Sequence, residues 1–147
     1  MSERNYTVQT KIHRPPREVF AAIVKPDVLC RYFTDKSSGP LSAGDRVIWH
    51  WAAWGDFPVT VKQVEEPRLI HLQLDSREWQ KTDPDAYVVD VLFQLEELDG
   101  NATLISISEQ GWRDDQPGRK ASHENCSGWT HMAMCLKAYL EHELDLR

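Results

Sequence analysis

Cysteine, basic charge and long apolar runs are all scarce in this chain, and each scarcity removes a class of protein. The three cysteines, Cys30, Cys126 and Cys135, are an odd number without the close pairs of a zinc ribbon or redox motif. Free thiols in a reducing compartment are therefore expected rather than a disulfide framework. Lysine and arginine total 17 against 23 aspartates and glutamates, a formal charge of -6, and no basic block stands out beyond Arg113 and the Arg119-Lys120 pair. Such a surface repels a phosphate backbone, so nucleic acid is not an expected partner. No stretch approaches the roughly 18 to 20 apolar residues that span a bilayer, and Met1 to Asn5 lacks the apolar core of a signal peptide; a cytoplasmic location is expected.

Several chemical signatures are missing too. There is no glycine-rich phosphate loop, no G-x-S-x-G elbow and no H-E-x-x-H motif, so nucleotide hydrolysis, serine hydrolase and metalloprotease chemistry have no motif behind them. His123 and His131 stand eight residues apart, which is no recurrent ligand spacing, and His131 with Cys135 is an isolated pair. The sequence implies neither a metal site nor a cofactor.

What remains is ordinary in bulk and unusual in one respect. Hydrophobic residues make up 41% and charged residues 27%, as in a globular protein, and 147 residues can bury one core without staples, which predicts one domain over 1–147. The unusual component is six tryptophans. Tyr6, Val8 and Ile12 lie on one side of a period-two strand that ends at Pro15-Pro16. A proline-started helix then runs from Pro16 to Val24, and Pro26-Asp27 opens a second short helix through Leu29 to Phe33. The breaker-rich segment from Thr34 to Asp45 is predicted as a loop. Strands follow over Arg46 to Trp54 and Phe57 to Glu65 around the Gly55-Asp56 turn, then over Leu69 to Leu74. A polar stretch, Asp75 to Asp85, carries Trp79 as its one bulky apolar residue. Two more strands flank the Asp99-Gly100-Asn101 turn, and a helix from Ser122 to Leu144 presents Cys126, Trp129, Ala133, Leu136, Leu140 and Leu144 at helical spacing.

This order predicts an α+β helix-grip fold: a curved antiparallel sheet of about six strands wrapped around a long C-terminal helix, with two short helices after the first strand. One helix must cover the sheet, and an imperfect match between the two leaves a cavity.

The chain resembles the helix-grip superfamily of START-like, Bet v 1-like (SRPBCC) domains, which includes lipid-transfer domains, plant allergens and polyketide cyclases. It is most similar to the branch named after the activator of the heat-shock chaperone ATPase. The residues that carry the likeness are Ile12-His13-Arg14-Pro15-Pro16-Arg17-Glu18-Val19-Phe20, Pro26-Asp27-Val28-Leu29, Tyr32-Phe33 and Gly44-Asp45. They continue with Glu66-Pro67-Arg68-Leu69, Gly128-Trp129 and Leu136 with Tyr139-Leu140-Glu141. The resemblance implies the fold and its cavity, and a chaperone as a partner, without fixing a catalytic set.

The cavity residues are therefore read from the pattern. Trp49 and Trp51 share a strand face and suit a packed core or a cavity wall; Trp54 and Trp79, nearer a rim, are expected at the mouth. Phe93, Ile107, Trp112 and Trp129 are expected to line it. Glu109 continues the inward phase of Ile105 and Ile107, which aims a carboxylate at the interior, while His71 or His123 would orient a guest and Cys126 would contact it. Three functions follow: a carrier or sensor of an apolar or amphipathic small molecule, a cyclase- or hydrolase-type enzyme with Glu109 as acid/base, and a regulator of a chaperone ATPase. A homodimer is compatible with the sequence, but the apolar pattern locates no interface for one.

Overall fold

The computed structural model describes residues 3–82 and 84–147. Met1 and Ser2, and Asp83 within the polar stretch, lie outside the described residues. Strand β1 (Arg4–Ile12) leads into helices α1 (Pro16–Val24) and α2 (Pro26–Leu29). Strands β2 (Lys36–Ser37), β3 (Arg46–Trp51), β4 (Gly55–Glu65), β5 (Leu69–Asp75), β6 (Val88–Leu98) and β7 (Ala102–Gln110) follow, and helix α3 (Gln116–His142) completes the order.

The strands form one antiparallel sheet in the order β1-β7-β6-β5-β4-β3-β2. The expected α+β architecture is present, with seven strands among the described residues rather than about six. The additional strand is β2, which pairs Lys36 with His50 and Ser37 with Trp49 inside the segment predicted as a loop. Two residues are too few for a period-two pattern to register. The β3–β4 turn also sits earlier than predicted: β3 ends at Trp51, and Gly55, at φ +86°, opens β4. Irregular pairing in β1 between Arg4 and Tyr6 and in β4 between Val61 and Gln63 bends the sheet.

The inner face holds the core. Ile70, Leu72 and Leu74 of β5 alternate with half-buried partners, and Val89, Val91 and Phe93 of β6 do the same beside them. Helix α3 lies over this face and packs along β1, burying Trp129, Met132, Ala133, Cys135 and Leu136.

Helix α3 begins at Gln116, ahead of the predicted Ser122. Pro117 occupies the first turn, where a missing N–H costs nothing, and the Asp115 carboxylate caps the end by accepting from the Gly118 N–H at 2.8 Å. The helix stops at His142 because Glu143 turns left-handed, so Leu144 belongs to the tail and is 54% exposed rather than part of the apolar stripe.

Gly118 is buried in that first turn, and a Cβ there would fall on the Arg113 carbonyl. Gly118→Ala should therefore destabilise the fold by about 2 kcal/mol or more. Gly128, on the same helix, has open space where a methyl group would stand, so Gly128→Ala should stabilise by about 0.5–1 kcal/mol. Urea denaturation of the two variants checks the opposite signs.

Candidate functional site

The strand phase that points Ile105 and Ile107 inward carries Glu109 with them, and its side chain is only 1% exposed. A carboxylate cannot be buried cheaply without donors. Three converge on it: Trp112 Nε1 donates to Oε1 at 2.7 Å, Trp129 Nε1 to Oε2 at 2.7 Å, and Asn125 Nδ2 to Oε2 at 3.0 Å. Glu109 is near the end of β7, Trp112 lies in the following loop, and Asn125 and Trp129 share one face of α3 at i and i+4. The carboxylate thus ties the sheet to the helix.

Tyr6 of β1 lies close by, with its hydroxyl buried and within electrostatic reach of Glu109. Burial first, and then the charge of Glu109, push its pKa far above that of an ordinary phenol, so Tyr6 is neutral at any working pH.

Beside this clamp, where the first half of α3 stands off from β4 and the end of β5, a cleft of about 290 Å³ opens. Phe57 and Pro58 of β4, Leu74 of β5, and Trp79 and Trp112 form its apolar walls, with Ala121 of α3 opposite. Its polar groups are Asp56, Glu78, Glu124 and Asn125. Trp79 and Trp112 meet at 5.3 Å between ring centroids, and Tyr87 packs edge-on against both at 6.4 Å. The volume is at the low end of the range for small-molecule sites. A larger hollow of about 400 Å³ lies on the outer face among Arg4, Thr7, Gln9, Arg68, Gln94 and Glu96. Its polar walls give an organic guest little apolar area to bury, so the smaller cleft is the candidate site.

The family model described as Activator of Hsp90 ATPase homolog 1-like protein matches residues 13–141. The chain belongs to that family. Solved structures with the same fold include a Staphylococcus saprophyticus protein, 23% identical, at TM-score 0.73 over 97% of this chain and 96% of the other. The Aha1 dimer from Colwellia psychrerythraea is 19% identical, at TM-score 0.76 over 92% and 95%. DynU16, from the dynemicin biosynthetic locus, is 18% identical, at TM-score 0.74 over 93% of this chain and 47% of its own. No curated protein matches the chain.

Within this family member the structure brings some predicted residues together and separates others. Trp79 and Trp112 line the cleft, and Glu109 stands behind its wall. Trp49, Phe93, Ile107 and Trp129 are buried, but they fill the space between sheet and helix instead of lining it: Trp129 meets Phe93 at 5.4 Å and Trp49 at 6.3 Å, both edge-on. Trp51 is half-buried against Phe33 and donates its Nε1 to the Phe33 carbonyl at 2.7 Å. Trp54 is not at the mouth; it caps the hairpin at 84% exposure. His71 lies on the outer face, because Ile70 and Leu72 take the inner positions, and its Nε2 meets Asp90 at 2.7 Å. His123 projects from α3 into solvent, so neither histidine can orient a guest in the interior. Cys126 is half-buried on the side of α3 facing Tyr6.

Phe57, Asp56, Glu78, Glu124, Asn125 and Ala121 were outside the predicted site. For Asn125 a signal existed, since it stands four residues before Trp129 on the face that meets the sheet.

Glu109→Gln replaces one acceptor oxygen by an NH₂ group, which faces an indole or amide N–H donor to donor. It should cost about 2–3 kcal/mol in urea denaturation. The near-ultraviolet dichroism of the tryptophans should change with it, since Trp112 and Trp129 lose a shared anchor.

Proposed function

We propose that this protein holds an apolar or amphipathic small organic molecule in the cleft between the first half of α3, the start of β4 and the Trp79–Trp112 wall. The observation that carries this reading is the cleft itself: aromatic and aliphatic walls open to solvent, with a few polar groups at the edge. Trp79 is 39% exposed there, an apolar face that a guest would cover. A guest burying about 200 Å² of apolar surface gains about 5 kcal/mol before the costs of association, which supports modest affinity from few polar contacts.

Glu109 serves this site as a positioning residue. Its oxygens are engaged by three donors, and it reaches the cleft only through Trp112 and Asn125, which are wall residues.

Titration of tryptophan fluorescence with a panel of lipids and aromatic compounds tests the reading. A binding member at about a hundred times its Kd should add about 2.7 kcal/mol of stability and raise the thermal midpoint by several degrees. Ala121→Phe, which places a ring in the cleft, should abolish both effects while leaving the dichroism spectrum of the fold. Silence of the whole panel, in emission and in melting, overturns the proposal.

A second reading rests on the family match: regulation of a chaperone ATPase, with the exposed Trp54 as a contact. A purified Hsp90-type chaperone should then hydrolyse ATP faster with the protein present, and Trp54→Ala should weaken that stimulation. An unchanged rate removes this reading.

A further inference from the structure

We infer that the guest of this cleft is a cation, an ammonium- or amidinium-bearing molecule with an apolar or aromatic body. This rests on the cleft reading above and adds the sign of the ligand's charge.

Every charged side chain that lines the cleft is a carboxylate: Asp56 from β4, Glu78 from the turn after β5, and Glu124 from α3. They approach from three separate elements, so the cleft is edged by negative charge on more than one side. Glu78 and Glu124 each have a cationic neighbour and Asp56 has a histidine beside it, and none of those neighbours is a wall of the cleft. Arg46 meets Glu78 at 2.9 Å, His50 meets Asp56 at 2.7 Å, and Lys120 stands 3.9 Å from Glu124. All of these pairs are solvent-exposed, where an ion pair neutralises its field only in part. A ligand carboxylate or phosphate would therefore meet three like charges and find no cationic residue among the lining ones. An ammonium group would find three acceptors.

The aromatic wall reinforces that preference. Trp112 turns its Nε1–H away into the Glu109 carboxylate, so what it offers the cleft is ring rather than donor. A hydrogen bond from an indole N–H to a carboxylate also leaves the ring richer in electrons, which strengthens its attraction for a cation. Trp79 packs on Trp112 and presents a second ring. The same aromatic group already holds a guanidinium: Arg113 lies over Tyr87 at 4.5 Å, and Tyr87 packs against both tryptophans. Aromatic rings joined with carboxylates are the chemistry that recognises alkylated ammonium groups, whose charge is spread over methyls and is cheaply desolvated.

The test compares three probes of one shape: phenethyltrimethylammonium, its uncharged carbon isostere (3,3-dimethylbutyl)benzene, and phenethylsulfonate. Binding is read from the indole N–H signals of the ¹⁵N-labelled protein. The ammonium probe should bind about tenfold more tightly than the isostere, although the isostere is the more hydrophobic, and the sulfonate should bind weakest. Raising the salt concentration should weaken the ammonium probe and leave the isostere's affinity almost unchanged. In Glu78→Gln/Glu124→Gln, a pair of substitutions at exposed positions, the ammonium preference should shrink at least about threefold while the melting curve keeps its cooperative shape. Equal or tighter binding by the isostere or the sulfonate overturns the inference and leaves the cleft reading standing. Failure of the ammonium probe while a neutral member of the earlier panel binds does the same. Silence of all three probes together with the whole panel overturns the cleft reading, and the inference falls with it.

Discussion

A single buried carboxylate sets the geometry of the site. Glu109 is carried to the interior by strand phase, and a charge so placed is tolerated only where donors surround it. Those donors are two tryptophan N–H groups and one asparagine amide, contributed by the loop after β7 and by α3. A hydrogen bond tolerates only a few tenths of an ångström of drift, so the three together fix how far along and at what rotation α3 lies over the sheet. An aliphatic residue at this position would satisfy the inward pattern equally well. It would leave two indole N–H groups without an acceptor in a buried place, and the helix without that registration.

The two indoles held by Glu109 face different surroundings, which is how one interaction shapes both core and cleft. Trp129 turns into the interior, where Phe93, Trp49 and Phe57 surround it, and it fills the space that a helix resting on a bent sheet would otherwise leave open. Trp112 turns outward and becomes a wall. The hollow is accordingly displaced to the end of the sheet, beyond the point where tryptophan volume runs out. Phe57 is the boundary: it stacks on Trp49 at 6.4 Å on one side and lines the cleft on the other.

Features governed by local periodicity were legible in the sequence, and features governed by meetings between distant segments were not. The inward phase of Ile105, Ile107 and Glu109 placed the carboxylate, and Trp79 in a polar stretch marked a rim. The same periodicity applied to Ile70, Leu72 and Leu74 would have sent His71 to the outer face, where it lies. The start of α3 was set too late because a proline such as Pro117 reads alike as the end of one element or the first turn of another, and the Asp115 cap decides between them. Asp56, Glu78 and Glu124 were silent for a different reason. Each looks like an ordinary solvated acid in its own element, and their convergence exists only once β4, the turn after β5 and α3 meet at one end of the sheet. The aromatic series around Trp49 raised the opposite difficulty, since six tryptophans say that a large apolar volume is needed without saying whether side chain or guest supplies it.

The charge of the interior follows from the same clamp. Around Glu109 the polar groups are neutral: the indoles, the Asn125 amide, and Tyr6, whose phenol is kept protonated by burial and by the carboxylate itself. The Glu109 carboxylate behind the wall is negative, and so are the charged side chains on the wall. Because the Trp112 N–H is committed inward, that wall ring offers an anion no donor. A carboxylate recruited to hold two tryptophans in place has, as a consequence, also set the electrostatic character of the space they enclose.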